Sequence, residues 1–419
     1  MDTIFAEATP PGRGGVSVVR LSGPGSRHIA EELAGPLDEA RRSCLRAFRD
    51  GEDLIDRGLV IRFDPGASFT GEESVEFHLH GAPVVVRRLE AALASRGARR
   101  AEAGEFTMRS FLSGRMDLAE VEGLSDLLAA ETEAQRKLAV ETSSGALGRL
   151  AEEWREDLIG AGAMITASID FADEEIPDDV ADGVAAVIEQ VRASIAAQVA
   201  GYPANERLRN GFEVALIGAP NAGKSSLMNA IARRDIAIVT DLPGTTRDIV
   251  EFRADLRGLP VSFLDTAGIR ETADQIEGIG IGRAIERAFA ADLRVFLGAV
   301  PEGAEVLIRE GDLFITTRGD LSGDPAAISA VTGAGIDQLM DQIFDILRER
   351  LAAAGLASHA RQAEALMAAE AALRGAGELP PELMAESLRT AQHHLQRLVG
   401  RIDVDDYLDR VFSTFCVGK

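Results

Sequence analysis

The chemistry of this chain is most legible in one loop. Gly218-Ala219-Pro220-Asn221-Ala222-Gly223-Lys224-Ser225 fits G-x-x-x-x-G-K-[ST] at every fixed position. Residues 212–217 read as a buried strand before it, and residues 226–233 as the start of a helix after it. Strand, glycine loop and helix are what a phosphate cradle requires. The glycines let successive backbone N–H groups turn toward one anion, and the helix N-terminus adds a partial positive charge. Lys224 can then reach the β- and γ-phosphates of a nucleotide, while the Ser225 hydroxyl can ligate magnesium.

Two more stretches follow in a meaningful order. Asp241-Leu242-Pro243-Gly244-Thr245-Thr246-Arg247-Asp248 supplies a threonine that can bring magnesium a second protein ligand and sense the γ-phosphate. Asp265-Thr266-Ala267-Gly268 follows the apolar run 261–264. An acidic residue at a strand end holds the magnesium water shell, and a glycine N–H bonds the γ-phosphate. This order predicts a GTPase whose loops become ordered around the γ-phosphate. The base end departs from the usual Asn-Lys-x-Asp: after strand 313–316 the chain reads Thr317-Arg318-Gly319-Asp320. The Asp320 carboxylate can accept from guanine N1–H and the 2-amino group, and Arg318 can stack on the base, but Thr317 cannot do all that asparagine does. Ser329-Ala330-Val331 stands at the next base loop. Guanine preference is expected in weakened form.

These motifs need elements to hold them. A chain of 419 residues predicts two or three domains. Residues 1–113 read as an α+β domain, with strands at 14–21, 58–63 and 73–80 and helices at 27–33 and 84–94. Residues 114–208 are rich in Ala, Leu and Glu at helical spacing, broken by the acidic stretch 170–179, which lacks the ligand spacing of a calcium loop. Residues 211–344 alternate strands (250–256, 261–264, 294–297, 313–316) with helices (281–290, 336–348), which predicts a mostly parallel sheet covered on both faces. Residues 349–419 return to helix at 359–374, 383–399 and 404–412. The simplest organisation is a helical domain split by an inserted α/β nucleotide domain.

Bulk properties exclude some functions. No apolar run approaches the ~20 residues of a membrane span, and no secretion signal is visible. Two cysteines, Cys44 and Cys416, suit a reducing cytoplasm, with Cys44 read as structural. A net charge of −24 is the wrong sign for a bulk nucleic-acid binder, so a polyanion would need a local patch or a second protein. Residues 1–113 hold 15 Arg and no Lys, which favours planar bidentate contacts with carboxylate or phosphate.

Further stretches add to the phosphate loop: Ala8-Thr9-Pro10-Pro11-Gly12-Arg13-Gly14-Gly15, Phe69-Thr70-Gly71-Glu72, Gly104-Glu105-Phe106-Thr107, Ile169-Asp170-Phe171, Gly244-Thr245-Thr246-Arg247-Asp248 and the terminal Phe415-Cys416-Val417-Gly418-Lys419. In this order they resemble the tRNA modification GTPase family MnmE, also called TrmE, over nearly the whole chain. The resemblance implies an N-terminal folate-binding domain that forms a homodimer, a helical domain and an inserted Ras-like G domain. It implies a heterotetramer with MnmG, an FAD protein that uses NADH. Together they would install a carboxymethylaminomethyl or aminomethyl group at carbon-5 of the wobble uridine of tRNA, with one carbon from 5-formyltetrahydrofolate or 5,10-methylenetetrahydrofolate. No membrane partner is expected.

By the same resemblance GTP is the substrate. It would touch Asn221, Ala222, Gly223, Lys224, Ser225 and Ser226; Thr240, Asp241, Leu242, Pro243, Gly244, Thr245 and Thr246; Asp265, Thr266, Ala267 and Gly268; and Asp320, Ser329 and Ala330. Asn221 and the backbone oxygens of Thr240, Leu242 and Thr245 would coordinate K+, Ser225 and Thr246 would hold Mg2+, and Glu277 would orient water. Folate would meet Arg20, Glu76, Arg115 and Lys419, although the family usually has lysine at position 115. The segment 298–311 is short for the family, which predicts a missing helix. The alternative is a GTP-gated assembly factor of the ribosome-maturation type, without folate chemistry.

Overall fold

A computed structural model describes residues 2–170, 179–234, 251–265, 286–301, 304–322, 324, 326–351, 355–402, 408, 411–413, 415 and 418. The chain divides into two compact units. One comprises Met1–Ser125, Ser143–Arg155 and Gln392–Lys419; the other comprises Asp126–Thr142 and Glu156–Ala391.

The first unit is built on a six-stranded sheet. Its strands are β1 (Ile4–Glu7), β2 (Gly14–Ser22), β3 (Cys44–Asp50), β4 (Asp53–Phe63), β5 (Ser74–Gly81) and β6 (Arg99–Arg100), in the order β3-β4-β5-β2-β1-β6. Every pairing is antiparallel except that of β1 with β6. Side chains alternate across a strand. Val19 and Leu21 of β2 and Val75, Phe77 and Leu79 of β5 therefore face a core closed by helices α1 (Ser26–Ala34) and α2 (Pro83–Ala94). In that core Phe48 meets Phe77 edge-on, with ring centroids 5.4 Å apart. Arg20 and Glu76 fall on the opposite face of the same strands. Strands β1, β3 and β6 were not evident in the sequence, and β4 begins five residues earlier than its apolar pattern suggests.

Helix α3 (Glu105–Leu112) carries the hub of the first unit. Arg109, only 3% exposed, donates to Glu72, to Glu105 and to Asp2. The helical stretch after 114 is divided into α4 (Leu118–Ala129), α5 (Glu133–Ser143) and α6 (Ala146–Asp170). Within the first unit Leu118 and Val121 pack on Val411, Phe412 and Phe415, and Gly418 lies against Glu7 and Ala8.

The second unit contains a five-stranded sheet. Its strands are β7 (Phe212–Gly218), β8 (Glu251–Leu256), β9 (Leu259–Asp265), β10 (Leu293–Leu297) and β11 (Leu313–Ile315), ordered β11-β10-β7-β9-β8. All pairs are parallel except the β8–β9 hairpin. Both faces are covered, so the strands read as continuous apolar runs. Helices α8 (Lys224–Ala232) and Ile336–Glu349 close one face through Met228, Ile231, Leu339 and Ile343. Ala288, Ala304 and Leu307 close the other over Ala215, Ile217 and Phe296. Parallel neighbours normally need a helical crossover. Among the described residues β10 and β11 are joined instead through a single 3-10 turn, Glu305–Leu307, in keeping with the short 298–311 segment. Asp312 pins this connection. It accepts from Arg294 Nε at 2.8 Å and from the Arg309 amide at 2.7 Å, and the ion-paired side chains are 2% and 1% exposed.

Helix α7 (Asp179–Asn210) leads into β7 and runs through Pro203. It packs along the helix Ala360–Leu373, where Arg192 and Glu370 meet at 2.7 Å. A further helix spans Pro381–Leu398. The acidic stretch from 171 to 178 and most of the helix expected at 404–412 lie outside the described residues.

Candidate functional site

Backbone geometry builds the phosphate cradle. β7 ends at Gly218, where a Cβ would stand 2.8 Å from the Leu297 carbonyl of β10 and 3.1 Å from the Ala222 methyl. Only hydrogen fits there. The loop then bends through two left-handed residues, Asn221 (φ 62°) and Gly223 (φ 94°), and α8 starts at Lys224 with Gly223 as its N-cap. Lys224 is 8% exposed, and its ammonium lies over the loop, donating to the carbonyls of Gly218 (2.5 Å) and Ala219 (3.2 Å). The Ser225 hydroxyl donates to Asp265 Oδ2 at 3.1 Å. The loop serine and the carboxylate at the end of β9 thus come together at the mouth of the cradle.

The cradle opens into a cavity of about 590 Å³, whose far wall is the Thr317–Asp320 turn with Ile328, Ala330 and Val331. Thr317 Oγ1 donates to the Ala222 carbonyl at 2.9 Å, and Arg318 Nη2 to the Asn221 carbonyl. Both residues of the altered motif therefore tie the base end to the phosphate loop. Asp320 Oδ1 accepts from the buried Ser329 hydroxyl at 2.8 Å, while Ser329 Oγ accepts from the Thr332 amide at 3.2 Å. The carboxylate is thereby aimed by a hydroxyl that is itself fixed.

In the first unit Arg20 and Glu76 meet as cross-strand partners on β2 and β5. Arg20 donates from Nε at 3.1 Å and from Nη2 at 3.0 Å to Glu76 Oε1, and each side chain is 19% exposed. β2 is an interior strand of the sheet, paired with β5 on one side and β1 on the other. Its guanidinium lies over the rings of Phe69 (5.1 Å) and Phe106 (5.7 Å). Sequence reasoning assigned no role to either ring, although both stand in the Phe-Thr-Gly-Glu and Gly-Glu-Phe-Thr stretches singled out above. Arg115 donates to the Gly66 carbonyl at 3.0 Å, at the base of the loop that carries Phe69. Cys44 is buried, and its thiol donates to Asp38 Oδ2 at 2.6 Å. That carboxylate, together with burial, pushes the thiol pKa up, which suits a structural role.

The remaining predicted site residues lie outside the described residues: Thr240, Asp241, Leu242, Pro243, Gly244, Thr245, Thr246, Thr266, Ala267, Gly268, Glu277 and Lys419, together with Cys416.

The sequence has relatives. The family model for the MnmE helical domain matches residues 118–416, and that for the N-terminus of the GTP-binding protein TrmE matches residues 3–115. The chain belongs to the MnmE family. It is 59% identical to the tRNA modification GTPase MnmE of Paracoccus denitrificans (strain Pd 1222) over 422 residues, covering all of both chains. It is 50% identical to the tRNA modification GTPase MnmE of Roseobacter denitrificans, again over the full length of both. Among solved structures, the G domain of the T. maritima FeoB iron transporter is similar to 32% of this chain and 98% of that one, at 24% identity and a TM-score of 0.23. The chain is a GTP hydrolase of the MnmE family. No helix among the described residues is long and apolar enough to cross a membrane.

Proposed function

We propose that this chain is a potassium-activated GTPase that modifies the wobble uridine of tRNA together with an MnmG-type FAD partner. The group added would be carboxymethylaminomethyl or aminomethyl, with its carbon from a tetrahydrofolate. The observation that carries the GTPase half is the 3.1 Å bond between Ser225 and Asp265, which sets a phosphate-loop hydroxyl beside a strand-end carboxylate. Such a donor set fits Mg2+, which takes one or two protein groups and completes its shell with water and phosphate oxygens. Asp320 would read the guanine, and Lys224 would neutralise the phosphates. Potassium, when bound, would supply positive charge where other GTPases place an arginine finger, worth about 10³–10⁵ in rate. Asn221, Thr240, Leu242 and Thr245 would hold it, with Thr246 on magnesium and Glu277 orienting the attacking water.

The folate half rests on the half-buried Arg20–Glu76 pair beside Phe69 and Phe106. A carboxylate that accepts from a pterin N–H edge, a planar cation and two flat apolar rings suit a flat, polar-edged ligand. Arg20 and Arg115 would meet its glutamate tail or its pterin carbonyls, and Lys419 would belong to the same site. The domain organisation belongs to the same proposal: 1–113 folate-binding, 114–208 and 349–419 helical, 211–344 nucleotide-binding. Leu45 and Leu59, paired across β3 and β4, are 69% and 41% exposed and offer an apolar patch to a second copy. Phosphate release measured in potassium and then in sodium tests the first half. Hydrolysis should rise in potassium and fall on Glu277→Ala, and equal rates in both salts would exclude the potassium role. Titration with tetrahydrofolate tests the second, because an assembly factor without folate chemistry would not bind it.

A further inference from the structure

The base end of the cavity carries a specificity device that a motif match does not assign. Thr317 Oγ1 gives its proton to the Ala222 carbonyl at 2.9 Å. A threonine hydroxyl has one proton and two lone pairs. With that proton held by the phosphate loop, only lone pairs are left to face a bound base. Three residues on, Asp320 has one carboxylate oxygen fixed by Ser329 at 2.8 Å and offers the other to a base donor.

A guanine is asymmetric between these two groups. Its N1–H and 2-amino donors lie on the Watson–Crick edge, which suits Asp320. Its five-membered ring bears the ribose, and so lies on the phosphate-loop side, where Thr317 is tied. N7 of that ring is a bare acceptor, and an acceptor facing lone pairs gains no hydrogen bond. We propose that Thr317 serves as a loop tie and leaves N7 unread, so that this GTPase selects guanine through the Watson–Crick edge and accepts guanine nucleotides altered at position 7. An asparagine at the same position has two amide protons, one for the Ala222 carbonyl and one for N7. The proposal deepens the guanine-nucleotide reading of this cavity and rests on it.

Steady-state hydrolysis of GTP and of 7-deaza-GTP by the full chain tests it. The two kcat/KM values should agree within about twofold, since no hydrogen bond separates them. In Thr317→Asn the ratio should move toward GTP by roughly 2–10-fold, the worth of one neutral hydrogen bond. Thr317→Val should lower kcat/KM for both nucleotides by the same factor, because it loosens the loop and changes nothing at N7. Calorimetric titration with GDP and 7-deaza-GDP repeats each comparison without turnover, so a variant that binds but no longer hydrolyses still reports. A wild-type preference for GTP of about fivefold or more, or an unchanged ratio in Thr317→Asn, would overturn the proposal. Binding of neither nucleotide would overturn the guanine reading of the cavity along with it.

Discussion

The phosphate cradle and the Arg20–Glu76 platform are sites of opposite construction. The cradle is made of backbone: eight consecutive residues, two left-handed bends and a helix start, with Lys224 and Ser225 as its functional side chains. The platform is made of side chains brought from strands 56 residues apart in sequence, beside one ring from a loop, Phe69, and one from helix α3, Phe106. A backbone site is written locally and announces itself as a motif. A side-chain site exists only once the sheet has chosen its register, because a one-residue slip would send Arg20 to the helix-covered core.

The largest expected effect tests the frame of the cradle. Asp312→Ala strands Arg294 without its carboxylate in the interior and should cost about 3–5 kcal/mol, read as a lowered denaturant midpoint. A loss below about 1 kcal/mol would mean that the short β10–β11 connection is held by something else. Next comes Lys224→Ala, which should lower kcat/KM for GTP by about 10²–10³, the loss of one group directed at developing charge. Near-normal phosphate release in that variant would break the contrast, leaving the cradle's amides sufficient by themselves. For the platform, Arg20→Ala should weaken tetrahydrofolate binding by about 10–100-fold, and Arg20→Lys should recover only part because an ammonium cannot reproduce the two-point contact with Glu76. Full recovery by lysine would show that charge, rather than geometry, organises the platform.

The smallest effect is a pH dependence in the first unit. The hydrogen bond from Arg99 lowers the Asp2 carboxyl from its ordinary 3.8 to about 2. A depressed carboxylate stabilises the fold fully above about pH 4, and that contribution fades as the pH falls toward 2. Acid unfolding of Asp2→Asn should therefore lack this segment of the stability curve. An unaltered acid limb would mean that the exposed pair adds nothing.

Much of the second unit was legible because its strands are buried on both faces. Apolar runs such as Phe212-Glu213-Val214-Ala215-Leu216-Ile217 leave little choice of structure. The first unit hid more. In β3 the arginines stand three apart, at 46 and 49, which breaks the period of two; β1 has four residues, and β6 has two, too few for any pattern. The helical stretch after 114 was visible but its breaks were not, although they are signalled. Asp117 and Glu120 exchange side-chain-to-amide bonds at 2.8 and 2.7 Å, and Thr132 with Gln135 closes a similar box ahead of α5. Asp320 and the loop motif could be placed from spacing, whereas the tie from Thr317 to Ala222 could not, because it depends on two loops 95 residues apart.

Asn221 and Arg318 share a left-handed bend, each at φ 62°, and the guanidinium of one holds the carbonyl of the other. Non-glycine residues adopt that conformation at a cost of roughly 1–2 kcal/mol each. The two loops thus meet already bent, and little of their shape has to be created when a ligand arrives. In kinetic terms this argues for capture in one step: stopped-flow traces with a fluorescent GDP should fit a single exponential whose rate climbs in proportion to nucleotide concentration, without the plateau that a slow prior rearrangement would impose.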